Sequence, residues 1–211
     1  MHILPNRHIA SLVAFWLAAG STVAADAVPP GPSYSCANVV ALSVEAMVCS
    51  DAGLSALDRK LAAVYGEALT IAAAQQPPTL RAEQRGWLKG RDECSKNTAP
   101  RACVEDAYRR RIAELQAMFR LVPATGPVTY VCNGSRANEI VTNYFATDPP
   151  TLVAERGDGV SVMYLQPSAS GSKYAGRNET LWERAGEAKI TWGHGAAAMS
   201  CTRQATTQRV K

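Results

Sequence analysis

Two short stretches near the C-terminal end hold the residues best suited to chemistry: Ser168-Ala169-Ser170-Gly171-Ser172-Lys173-Tyr174 and Leu181-Trp182-Glu183-Arg184-Ala185-Gly186-Glu187-Ala188. The first is small and polar, contains a glycine and ends in an aromatic. The second starts with a tryptophan and presents a cation, Arg184, just before a turn. A hydroxyl can donate one hydrogen bond and accept others, and a guanidinium forms bidentate pairs with carboxylates. Two tight loops carrying one hydroxyl and one cation suit insertion into a cleft lined by carboxylates. That is a blocking device. Taken alone, Ser170-Gly171 reads better as an ordinary hairpin turn and Arg184 as a solvated strand residue. Trp182 and Trp192 read as core aromatics.

The usual catalytic groups are missing. Of the three histidines, His2 and His8 fall in an N-terminal export signal, and His194 sits in a Gly-His-Gly turn. No nucleophile-elbow motif stands near His194, and no glycine loop could cradle a phosphate. Once the cysteines are paired, no zinc site of the His/Cys type can be built. No two carboxylates stand out as an acid/base couple. The chain is therefore read as a protein that is not an enzyme, with no metal and no cofactor.

The elements that must position the two loops follow from composition and period. Met1 to about Ala25 reads as a secretory signal peptide, with Arg7 as the positive n-region and Ile9–Ala19 as the apolar core. Cleavage falls near residue 25 or 27, after small residues. The apolar run is short for a membrane span, so no stable membrane anchor is expected. The first cysteine, Cys36, lies well past it in a Tyr34-Ser35 context unsuited to lipid attachment. The expected location is the periplasm or the exterior. The formal charge of +4 is carried by residues interleaved with acids. No basic stripe points to nucleic acid, and the run Arg109-Arg110-Arg111 reads as a solvated helix face.

All six cysteines, Cys36, Cys49, Cys94, Cys103, Cys132 and Cys201, lie in the exported part, which implies disulfides. Grouping by structural unit gives 36–49, 94–103 and 132–201, with 36–103 and 49–94 as the open alternative in the first half. From Tyr34 to about Leu121 the period is helical. Ser43 caps a helix from Val44 and Ser55 caps the next one, which runs through Ala74. A third helix spans about Thr79–Cys94 with Leu80, Trp87 and Leu88 inward. A fourth spans about 102–121 with Val104, Tyr108, Ile112, Leu115 and Phe119 on one stripe. Residues 123–127 have the composition of a linker. Beyond it the period becomes two, with strand candidates at 128–132, 139–145, 151–155, 160–165, 180–184, 188–192 and 198–203, and a polar tail at 204–211. The fold class is α+β in two domains: a disulfide-stapled helical bundle at 34–122, then a small antiparallel β-barrel at 128–203.

Residues from about 128 to 201 resemble the MliC/PliC family of inhibitors of c-type lysozyme. The resemblance is carried by Val128-Thr129-Tyr130-Val131-Cys132-Asn133-Gly134, the Ser170-Gly171-Ser172-Lys173-Tyr174 element, Trp182, the following cation, Gly186-Glu187-Ala188 and Cys201. Residues from about 35 to 121 resemble the helical domain of LprI-type proteins, through Cys36, Cys49, Leu57-Asp58, Leu61, Tyr65, Gln84, Trp87, Arg91-Asp92, Cys94, Cys103 and Tyr108. The resemblance implies an eight-stranded barrel whose Ser-Gly-x-x-Tyr loop enters the lysozyme cleft. It implies that Ser170 and Arg184 meet the two catalytic carboxylates, with Gly171 shaping the loop, Tyr174 bracing it and Lys173 as an alternative cation. Arg184 stands where the family carries lysine, and Ala185 where glycine is usual. The implied partner is c-type lysozyme and the implied role is evasion of host defence. A second reading is an envelope module that binds a cell-wall fragment or protein through its helical half.

Overall fold

The computed structural model describes residues 30–75 and 79–205. The signal peptide read at 1–25 and residues 206–211 of the tail lie outside the described residues. Four helices are followed by eight strands: α1 (Val44–Ser50), α2 (Ala52–Gln75), α3 (Thr79–Asp92), a 3₁₀ turn (Glu93–Lys96) and α4 (Pro100–Met118), then β1 (Ala124–Cys132), β2 (Ser135–Phe145), β3 (Thr151–Arg156), β4 (Gly159–Gln166), β5 (Ser172–Ala175), β6 (Thr180–Arg184), β7 (Glu187–Thr191) and β8 (Met199–Arg203).

Ser43 caps α1 as its sequence position predicts, its Oγ accepting from the Ala46 amide at 3.1 Å. Ser55 does not cap α2. Asp51 takes that place, its Oδ1 accepting from Leu54 N at 2.9 Å. Ser55 instead lies one turn inside, buried, donating to the Val48 carbonyl at 2.7 Å. A carboxylate at the junction also accepts from Arg101 Nε, which the serine could not reach. The α4 stripe packs as expected, with Val104, Tyr108, Ile112 and Leu115 essentially inaccessible. Leu88, expected inward, is exposed on α3, because Leu80, Gln84, Trp87 and Arg91 form the face turned to the bundle. At the centre of the bundle, Tyr108 donates to Asp58 (2.9 Å) and accepts from Arg91 (2.8 Å), which also reaches Glu45 and Asp92. Burial pushes the Tyr108 hydroxyl well above the usual phenol range.

The strands close into an antiparallel barrel in sequence order, β1 through β8, with β8 back on β1. Leu152, Met163, Leu181 and Ile190 fill its interior. Three disulfides join Cys36–Cys49, Cys94–Cys103 and Cys132–Cys201, which settles the first-half alternative. The last ties register partners across the β1–β8 seam. Three features differ from the sequence reading. β1 starts at Ala124, inside the stretch read as linker, because Ala124 and Thr125 pair with Phe145 and Tyr144 before a bulge at Gly126-Pro127. β5 is a strand of four residues, too short and too polar to show alternation. Gln204, read as tail, donates from its amide to the Thr129 carbonyl at 2.8 Å.

The arginine run is not a solvated face. Arg111 is buried, the Arg110 guanidinium lies 4.9 Å over the Tyr164 ring, and Arg109 pairs with Asp148. The Tyr164 hydroxyl donates to the Arg110 carbonyl at 3.3 Å, and Ala117 packs on Phe145 and Val153. α4 therefore covers the outer surface of β2–β4, and the strands β6–β8 keep theirs open. The reason is steric: α4 turns Ala117 to the barrel, which lets the backbone come close while arginine stems cover the rest.

Candidate functional site

The open end of the barrel is built from the loop between β4 and β5 and the turn between β6 and β7. β5 and β6 pair at Ser172–Glu183, Lys173–Trp182 and Tyr174–Leu181. Strand alternation sends Tyr174, Leu181 and Glu183 inward and Lys173, Trp182 and Arg184 outward.

Gly171 joins the two loops. It sits at φ +67°, and a Cβ placed on it would lie 2.0 Å from the Glu183 carbonyl oxygen and 3.2 Å from Arg184 Cβ. Only glycine permits that approach, which brings Ser170 and Arg184 onto one rim. The Ser170 carbonyl is fixed from two sides. Ser168 Oγ and Trp182 Nε1 each donate to it at 2.8 Å. Arg184 ends β6 opposite Glu187, and the connecting pair Ala185 and Gly186 take φ 52° and 83°. Two positive-φ residues between paired strands form the turn that follows the strand twist. Arg184 is exposed and makes no ion pair among the described residues. Tyr174 lies beneath, its ring edge-on to Tyr144 with centroids 5.7 Å apart, and burial raises its hydroxyl pKa. It supports the loop from within.

Beside this rim the outer surface of β6–β8 forms a concavity of about 660 Å³, lined by Ser170, Trp182, Arg184, Glu187, Lys189 and Thr202 among others. Trp182 was expected in the core; it is 45% exposed, because Leu181 takes the inward position in the pleat. Lys173 and Lys189 flank it in register on β5 and β7, and Lys189 Nζ donates to Ser200 Oγ at 2.8 Å. Trp192 is half-buried against the barrel core, as read. Below the rim Glu183 faces Arg203 at 3.7 Å, and the Tyr130 and Tyr144 hydroxyls meet at 3.2 Å. Burial, then the Tyr144 contact, pushes the Tyr130 pKa well above its ordinary value. The interior at this end is thus polar, with two phenols and the Glu183 carboxylate, and the rim above it presents Arg184.

Ser170, Gly171 and Arg184 are brought together. Lys173 stands one row back beside Trp182, and Tyr174 is internal. The sequence reading placed Trp182 in the core and gave no role to Ser168 or Lys189. Counting the period back from Ile190 and Leu181 would have turned Trp182 and Lys189 outward; nothing in the sequence marks the Ser168 bond. His194 is an exposed turn residue between Gly193 and Gly195, both at positive φ.

Comparison with known proteins matches residues 130–199 to the family described as membrane-bound lysozyme-inhibitor of c-type lysozyme, and residues 36–115 to the family lysozyme inhibitor LprI. Proteins named Lipoprotein LprI from Mycobacterium bovis and Mycobacterium tuberculosis are each 34% identical over 168 residues, covering 79% of this chain and 82% of theirs.

Proposed function

This chain belongs to the LprI family of lysozyme inhibitors and carries an MliC-type barrel, and from that premise we propose that it inhibits c-type lysozyme by placing its barrel rim in the active-site cleft. The observation that carries the reading is the Gly171 contact with β6, which sets Ser170 and Arg184 side by side on an exposed rim. Lysozyme serves as a standard example of two carboxyl groups held in different protonation states, one an acid and one ionised. A guanidinium beside them favours the ionised form of both. Arg184 would thus remove the acid as well as exclude substrate. In a dry cleft the charge-assisted bond is stronger than at a surface. The Ser170 hydroxyl would donate to the second carboxylate.

Charge supports a short-range mode of binding. The formal charge of +4 gives no long-range pull toward a basic target, so affinity rests on local fit at the rim. The protein would act as a binding protein rather than a catalyst, in the periplasm or outside the cell, shielding the wall from host enzyme. Among the described residues no helix is long and apolar enough to cross a membrane. Cys36, the first cysteine, is bonded to Cys49 and keeps no thiol for a lipid.

Clearing of a cell-wall suspension by c-type lysozyme tests the reading. Micromolar protein should slow clearing, and Ser170→Ala with Arg184→Ala should weaken inhibition by about 10²-fold or more, from two lost contacts worth ~1.5–3 kcal/mol each. An unchanged inhibition constant would move the site elsewhere.

A further inference from the structure

A second cleft, of about 870 Å³, lies between the helical half and the barrel. Its walls come from α3, α4, β4 and the β5–β6 connection, and it shares no lining residue with the Ser170–Arg184 rim. Arg111 lines it while being only 4% exposed. Its Nε donates to Gln84 Oε1 at 3.0 Å and its Nη1 pairs with Glu114 at 2.9 Å. Its Nη2 is buried and has no acceptor among the described residues. Buried donors in native proteins are almost always paired, so an orphaned guanidinium nitrogen beside a cleft marks a missing acceptor.

We propose that this cleft binds a carboxylate-bearing saccharide, with Arg111 Nη2 donating to the carboxylate. Arg111 is held through Nε by Gln84 and through Nη1 by Glu114, which leaves Nη2 to make one charge-assisted hydrogen bond to a carboxylate oxygen. Arg177 at the mouth makes no ion pair among the described residues and adds a second cation. The remaining polar groups want donors: Glu83 carries no ion pair among the described residues, and Glu179 accepts from Ser161 Oγ at 2.8 Å and from the Asn178 amide. A ligand rich in hydroxyls supplies those donors. Leu80, Met118 and Phe119 give the apolar surface that the carbon face of a sugar ring covers. The volume falls in the range of small-ligand sites.

Calorimetric titration of the full exported chain with N-acetylmuramic acid and with N-acetylglucosamine tests the proposal, because the pair differs by one carboxylate-bearing ether. The acid should bind about tenfold more tightly, the worth of one charge-assisted hydrogen bond. Arg111→Lys, which keeps the charge but removes the fork, should abolish that preference; a thermal melt shows whether the variant folds. If it does not fold, the comparison of the two sugars on the unaltered chain still decides. Equal affinity for both sugars, or no heat with either at millimolar concentration, overturns the proposal. Tighter binding of the dipeptide D-alanyl-D-alanine than of either sugar overturns the saccharide class.

Discussion

Gly171→Ala and Gly134→Ala form a matched pair, because both glycines sit at φ +67° and only one is crowded. At Gly134 nothing lies within 4 Å of the added methyl, so the cost is backbone strain alone. Left-handed geometry costs an L-residue ~1–2 kcal/mol, and stiffening of the unfolded chain returns ~0.4–1, leaving about 1 kcal/mol. At Gly171 the methyl would also meet the Glu183 carbonyl oxygen at 2.0 Å, so β5 must move away from β6 by about an ångström. Overpacking of this kind adds ~1–3 kcal/mol. A chain of this size loses ~2–4 °C of Tm per kcal/mol, so Gly134→Ala should cost ~2–4 °C and Gly171→Ala ~4–16 °C. The retreat also breaks the alignment of Ser170 with Arg184, so inhibition should fall by about 10²-fold in Gly171→Ala, matching loss of both rim contacts. Gly134→Ala should inhibit normally. Calorimetric melts and inhibition constants on both variants give the comparison. If Gly171→Ala melts with Gly134→Ala and inhibits like the parent, the close approach does not organise the rim.

Ala185→Gly should raise Tm, because Ala185 sits at φ 52° and relief of ~1–2 kcal/mol exceeds the entropy cost of ~0.4–1; a lower melting temperature would contradict the strained turn. Trp182→Phe removes the Nε1 bond to the Ser170 carbonyl while keeping a ring, and should weaken inhibition about fivefold from ~1 kcal/mol of lost positioning; parity with the parent would leave the bond without a role. The pKa values of Asp51 and Glu105 are lowered, Asp51 chiefly by its hydrogen bond from Arg101 and Glu105 by those from Arg109 and Arg101. A depressed carboxylate contributes stability above its unfolded pKa and loses it as pH falls through the folded value. Stability of the helical half should therefore drop on acidification below the ordinary carboxylate range, and Arg101→Ala should flatten that drop in melts followed by helical circular dichroism. An unaltered acid limb would show that these surface pairs add nothing.

Period and cysteine grouping made the architecture legible. Val104, Tyr108, Ile112 and Leu115 repeat at helical spacing and are buried, and Tyr130, Ile140, Leu152 and Met163 alternate into the barrel. Features set by tertiary contact were not legible. β5 is four residues long and held by its neighbours, so its own sequence carries no alternation. Asp51 outcompetes Ser55 as a cap because Arg101, fifty residues away, arrives beside it. The arginine run looked solvated because its acids stand next to it in sequence, yet Arg110 lies over the Tyr164 ring of the barrel and Arg111 is buried with a hydrogen bond to Gln84 of α3. At the rim, Ser170 and Gly171 were recognisable from their motif, but Trp182 was assigned by hydrophobicity when the pleat put it outside. The Ser168–Ser170–Trp182 cluster depends on a main-chain carbonyl, which no side-chain pattern reports.

A crystal structure of the complex with c-type lysozyme tests the central claim most directly. It should show the Arg184 guanidinium and the Ser170 hydroxyl within about 3 Å of the two catalytic carboxylates, the ordinary hydrogen-bond distance. A complex in which the rim faces solvent and the cleft stays open to substrate would contradict it.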